Sequence, residues 1–129
     1  MLKKYSDKWE CPVIAYCLMG NHVHLLVRPK REESLYKMMQ GLTLCYTQYI
    51  NRKYEKTGRL WESRYHSCIV DREHYLWAVA RYIEQNPKRA KIVKKEEEYP
   101  IQAQRLISKG KETIYWAKNF LTIIRGKII

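Results

Sequence analysis

A chain of 129 residues has room for one domain with one hydrophobic core and not for two of ordinary size. Hydrophobic residues make up 46%, so a packed fold is expected and disorder is not, while no apolar run nears the roughly 20 residues that span a bilayer. Lys and Arg number 25 against 13 Asp and Glu, and the resulting +12 gathers polyanions and disfavours basic partners.

Lys3 and Lys4 have no apolar stretch behind them, so no secretory signal is expected. Cys11, Cys17, Cys45 and Cys68 are scattered without a CxxC pair, which suits reduced thiols and a cytoplasmic location. Eleven tyrosines and four tryptophans are interleaved with the positive charge, and nucleic-acid bases stack on such rings.

Residues 12–19 form a short apolar run with β-branched and aromatic members, which predicts a buried strand. Gly20-Asn21 is a tight-turn dipeptide, and residues 22–27 resume strand character, so the two runs predict an antiparallel hairpin. Ser34 is a candidate N-cap for a long helix reaching about Tyr54. Along it Leu35, Met38, Met39, Leu42, Cys45, Tyr46, Tyr49 and Ile50 recur at spacings of three and four, a stripe that reads as core. The other side carries Lys37, Gln40, Gln48, Arg52 and Lys53, a solvated face able to touch phosphates. Residues 60–70 read as a third strand, and Asp71 caps a second helix that Pro87 is expected to stop. A basic run follows, with Lys88, Arg89, Lys91, Lys94 and Lys95. Residues 101–107 and 113–124 read as helical, so residues 1–100 form the expected domain and 101–129 an extension packed on it.

Two constellations carry chemistry. In Asn21-His22-Val23-His24-Leu25-Leu26-Val27 the pleat sends His22 and His24 to one face, where two imidazoles can grip a divalent cation. The plainer reading is two unconnected surface histidines. On the second helix Tyr82 and Asn86 stand four apart, hence on one face near its C-terminus. Taken alone, Tyr75, Val79 and Tyr82 read more plainly as a wall packed on a sheet. Taken together, a cation held by imidazoles and an amide oxygen, facing a phenol, suits phosphoryl transfer.

Residues 15–27, Ala-Tyr-Cys-Leu-Met-Gly-Asn-His-Val-His-Leu-Leu-Val, resemble the His-hydrophobe-His block of the single-tyrosine transposases, in particular their REP-associated branch. Gly58-Arg59-Leu60-Trp61-Glu62-Ser63-Arg64-Tyr65 resembles the family segment before its last strand. Arg81-Tyr82-Ile83-Glu84-Gln85-Asn86-Pro87-Lys88-Arg89-Ala90 resembles its tyrosine-helix motif. The three blocks lie in family order over roughly residues 10 to 100.

The resemblance implies an α+β domain, ferredoxin-like or RRM-like, with an antiparallel sheet and helices packed on one side. It implies His22 and His24 as ligands of Mg²⁺ or Mn²⁺, Tyr82 as the nucleophile that becomes joined to a DNA 5′-phosphate, and Asn86 where a third ligand belongs. Asparagine there, rather than the glutamine of the insertion-sequence relatives, points to the REP-associated branch. The implied substrate is single-stranded DNA with hairpin ends, with Lys37, Arg52, Lys53, Arg64, Lys88 and Arg89 as backbone contacts.

The family sheet also has a central first strand, and residues 3–9 here resemble the end of the helix that follows it. One expectation is a shortened or decayed gene, and a non-catalytic nucleic-acid-binding remnant is then the alternative function. The other is that the tail, or a second copy of the chain, supplies the strand, the latter giving a homodimer by strand exchange. A further alternative is structural zinc held by His22, His24, His66 and Cys68.

Overall fold

The computed structural model describes residues 1–70, 73–95, 98 and 121–127. Among the described residues seven elements follow one another: α1 (Leu2–Lys8), β1 (Val13–Leu18), β2 (His22–Val27), α2 (Ser34–Lys53), β3 (His66–Val70), α3 (Glu73–Arg89) and β4 (Leu121–Lys127). The four strands form one antiparallel sheet in the order β1-β2-β4-β3. This is the α+β antiparallel class that the sequence implied.

The hairpin forms as expected, with β2 starting at His22 and ending at Val27. Tyr16 faces Leu25 and Cys17 faces His24 across it, and the register shifts between Val13 and Ala15. The shift accommodates Ile14 as an extra residue. Its effect is visible in packing: Val13 and Tyr16 meet one core cluster, whereas Ile14, Ala15 and Cys17 meet the other.

Strand β2 is interior, and its last four residues are all buried. Leu25 and Val27 pack with Cys11, Met38 and Met39 beneath α1 and α2. Leu26 packs from the other face with Ala15, Cys17, Leu76, Ala80 and Ile83, beneath α3. The sheet is therefore covered on both faces, which corrects the expectation of helices on one side only. Successive side chains of a strand alternate, so the consecutive apolar residues Leu25, Leu26 and Val27 need two layers to bury them.

The central position next to β2 is taken by β4. His24 faces Arg125 and Leu26 faces Ile123, while on the far side His66 faces the same Arg125. The expectation that the tail fills the gap by strand pairing holds in this form. The helix expected over residues 113–124 does not hold at its end, since Leu121–Lys127 is strand. Thr122, Ile123 and Ile124 are β-branched and suit a pleated, buried surface better than a helix. Residues 121–127 are thus part of the sheet; residues 101–120 lie outside those described.

Three further boundaries differ from expectation. The helix α2 begins with Glu33 in the cap position and no side-chain cap; the Ser34 hydroxyl instead accepts from the Arg31 N–H at 3.1 Å. The third strand is only His66–Val70. Ahead of it Trp61 keeps an isolated bridge before the chain bends away over residues 62–65: its indole Nε1 donates to the Thr43 carbonyl at 3.3 Å, and its ring lies over Gly126 of β4. Pro87 does not stop α3, which continues to Arg89 with the proline ring fully buried. A proline in the last turn forfeits one ladder bond, and here the Ala90 N–H, three residues on, still donates to the Asn86 carbonyl at 2.9 Å. The expected cap Asp71 lies outside the described residues.

Candidate active site

His24 sits in the middle of the sheet, 2% exposed, on the face that α3 covers. His22 opens the same strand beside the turn and is half-buried. Their rings meet edge to face with centroids 5.0 Å apart. The pleat requires this shared face, so the spacing His-x-His is itself the positioning device.

Nδ1 of His22 lies 2.7 Å from Oδ1 of Asn21. An amide oxygen only accepts, so this contact puts the proton on Nδ1 and leaves Nε2 with the lone pair. Asn21 thus sets both ring orientation and tautomer. Sequence reasoning treated it as a turn residue; its place directly before the histidine was the available signal.

Tyr82 approaches from α3. Its ring packs edge-on against His24, with centroids 5.6 Å apart and planes 86° to one another. It remains 38% exposed, so the phenol stands at the open lip of the site with His24 as the floor. The helix brings it there because Leu76, Ala80 and Ile83, at spacings of four and three, bury one stripe in the sheet and turn Tyr82 to its margin. The alternative of Tyr75, Val79 and Tyr82 as a plain wall is only partly met: Val79 packs on the core, Tyr75 is 51% exposed.

Asn86, one turn beyond, donates from Nδ2 to the Tyr82 carbonyl at 3.0 Å. The amide nitrogen is therefore committed to the helix, and its oxygen is the atom suited to a cation. This is not the loosened helix end expected before Pro87. Arg89, two turns from Tyr82, places its guanidinium over the Tyr82 ring, 5.3 Å from the centroid. The cation–π stack was not foreseen, although a seven-residue spacing on a helix permits it.

The expected backbone-contacting residues fall into two groups. Lys88 and Arg89 lie in the last turn of the tyrosine helix, beside the site. Lys37, Arg52 and Lys53 lie on α2, over the opposite face of the sheet. Lys37 pairs with Glu33 at 3.4 Å and stacks over Trp9 at 5.0 Å. Arg64 lines an open groove of about 720 Å³ with Tyr36, Gln40 and Trp61, again on the α2 side.

The four-ligand zinc alternative is not formed. β4 separates His24 from His66, which puts them two strand spacings, or about 9–10 Å, apart. Among the described residues no three of His, Cys, Asp and Glu are grouped so as to hold a metal. Two imidazoles and an amide, were they to hold a divalent cation, would leave coordination places open to substrate oxygens.

A four-stranded antiparallel sheet with a histidine pair on its interior strand and a tyrosine helix laid across it defines an α+β domain built around one exposed lip. The family model described as transposase IS200-like matches residues 1–86, and the chain belongs to that family. Membership carries a transposase role, with DNA as the partner. No curated protein and no solved structure matches the chain. No helix of the described residues is long and apolar enough to cross a membrane.

Proposed function

We propose that this protein cleaves and rejoins single-stranded DNA through a covalent link between Tyr82 and a 5′-phosphate, as the REP-associated single-tyrosine transposases do. The observation that carries the reading is the contact between the Tyr82 and His24 rings, 5.6 Å between centroids, next to the His22–His24 pair. Residues from an interior strand and a separate helix share one lip, which packing alone does not require.

In this reading His22 Nε2, His24 and the Asn86 oxygen would hold Mg²⁺ or Mn²⁺, which supplies positive charge against the non-bridging phosphate oxygens. Lys88 and Arg89 hold the DNA backbone beside the lip, and Arg89 also restrains the phenol ring. The Tyr82 oxygen attacks phosphorus in line, a P–O bond to Tyr82 forms, and the bond to the 3′ oxygen breaks. The phenol proton leaves to water and the released 3′ oxygen takes one up. The phosphotyrosine conserves the bond energy, so a second 3′-hydroxyl can reverse the step without ATP.

Incubating hairpin-bearing single strands with Mg²⁺ or Mn²⁺ tests this. Tyr82→Phe should abolish cleavage while sparing DNA binding, and His22→Ala with His24→Ala should remove metal-dependent cleavage. Undiminished cleavage by Tyr82→Phe contradicts the reading. Binding without cleavage by the unaltered chain supports the alternative, a DNA-binding remnant. The strand-exchanged homodimer is a separate proposal: β4 joins the sheet through a long connection, so a neighbouring copy could supply it. Light scattering at twice 15.7 kDa supports it, and a stable monomer contradicts it.

A further inference from the structure

The stripe on α2 is buried only in its first half. Ser34, Met38 and Met39 are the buried residues of the helix, and beyond Leu42 none of its side chains is fully buried. Tyr49 and Tyr54 are each about half exposed, at 49% and 56%. Aromatic side chains at spacings that suit a core have thus been left on the surface.

Their arrangement is ordered. Tyr46 and Tyr49 stack with planes 28° apart and centroids at 6.4 Å, and Tyr46 lies 6.0 Å from Trp61. Lys53 places its ammonium between two rings, 5.9 Å from Tyr49 and 5.4 Å from Tyr54. Trp61 also walls the groove that holds Tyr36, Gln40 and Arg64, so rings and groove are continuous. Charge around them is one-sided: Arg52, Lys53, Lys56, Arg59 and Arg64 stand against Glu55 and Glu62, and Glu62 is paired with Lys127 at 3.1 Å.

We propose that the outer half of α2 and the loop after it form a stacking platform for single-stranded nucleic acid, on the sheet face opposite Tyr82. Bases lie on Tyr49 and Tyr54, and the phosphate between them meets Lys53. A cation held between two π-faces matches the alternation of base and phosphate along a single strand. Apolar burial by a protein partner would not call for this excess of positive charge. From Tyr36 to Tyr54 the helix runs 18 residues, about 27 Å, a length suited to a few nucleotides. The inference rests on the reading that the chain acts on single-stranded DNA, and it adds where the uncut flank is held.

The test needs no cleavage, so it stands apart from the fate of Tyr82. Fluorescence anisotropy of the full chain with chelator present compares a single strand of about 12 nucleotides with the same strand made abasic. Tyr49→Ala and Tyr54→Ala should each weaken binding to the base-bearing strand by about 5- to 100-fold and barely change the abasic one. Tyr49→Phe should restore affinity, and Lys53→Gln should lower the slope of log K against log salt by about 0.7. Should Tyr49→Ala lose its fold, judged by circular dichroism, Tyr54→Ala remains informative, since Tyr54 lies past the helix end. Unchanged affinity, or equal loss on both strands, overturns the proposal. So does altered self-association with unchanged affinity, which would make the surface an interface between copies.

Discussion

The contact between Asn21 and His22 is local, one residue to the next, yet it decides which imidazole nitrogen can face a cation. On the proposed mechanism, Asn21→Ala frees the ring to rotate and change tautomer. Metal affinity, read by titrating Mn²⁺, should then fall about 10- to 100-fold while the fold is kept. An unchanged titration would make the contact a turn feature only. The cysteines give a second prediction. Burial pushes Cys11 and Cys17 up to about 11, from an ordinary 9.0. The folded chain holds these protons where the unfolded chain releases them, so stability present below pH 9 is lost as pH rises toward 11. Thermal midpoints should fall across that window. Mass spectrometry after brief alkylation at neutral pH should show exposed Cys68 modified and Cys11 and Cys17 spared.

At the scale of elements, Trp61 is the wedge that ties β4 to α2. A Cβ added at Gly126 would stand 3.3 Å from its ring, and the backbone N–H of Glu62 donates to the Lys127 carbonyl at 2.9 Å. Trp61→Ala removes the ring from between helix and strand. Because the residue is only half-buried, the expected cost is about 2 kcal/mol, below the 3–5 of a fully buried Trp. Gly126→Val should destabilise too, by about 1–3 kcal/mol of overpacking, and denaturant midpoints measure both. The same contact explains why the sequence misled at this point. Residues 60–70 alternate well enough for one long strand, but beside the tertiary contact of Trp61 with α2 it is interrupted at residues 62–65. By contrast the hairpin and His22–Val27 were legible, since turn dipeptide, alternation and burial all agree there. The α2 stripe was legible as a helix and not as a buried one, because periodicity reports shape and says nothing about what lies alongside.

For the whole molecule, the strand order was the part least visible in the residues. Leu121 to Lys127 carries β-branched residues, but only its pairing with both β2 and β3 makes it an interior strand. At the site, the rings of His22 and His24 meet on one strand face and Tyr82, from a distant segment, packs on His24, whereas the Arg89 stack and the Asn21 contact were not foreseen. The charge of +12 predicts DNA binding that weakens steeply with salt: six to eight phosphates neutralised would give a slope of about −4 to −6 on single strands. A slope near zero would mean that the charge does not serve DNA.

The most direct measurement of the central claim is peptide mapping of the covalent complex formed with single-stranded DNA and Mg²⁺ or Mn²⁺. The account predicts a nucleotide 5′-phosphate attached to Tyr82. Attachment to another residue, or strands cut without any covalent complex, would contradict it.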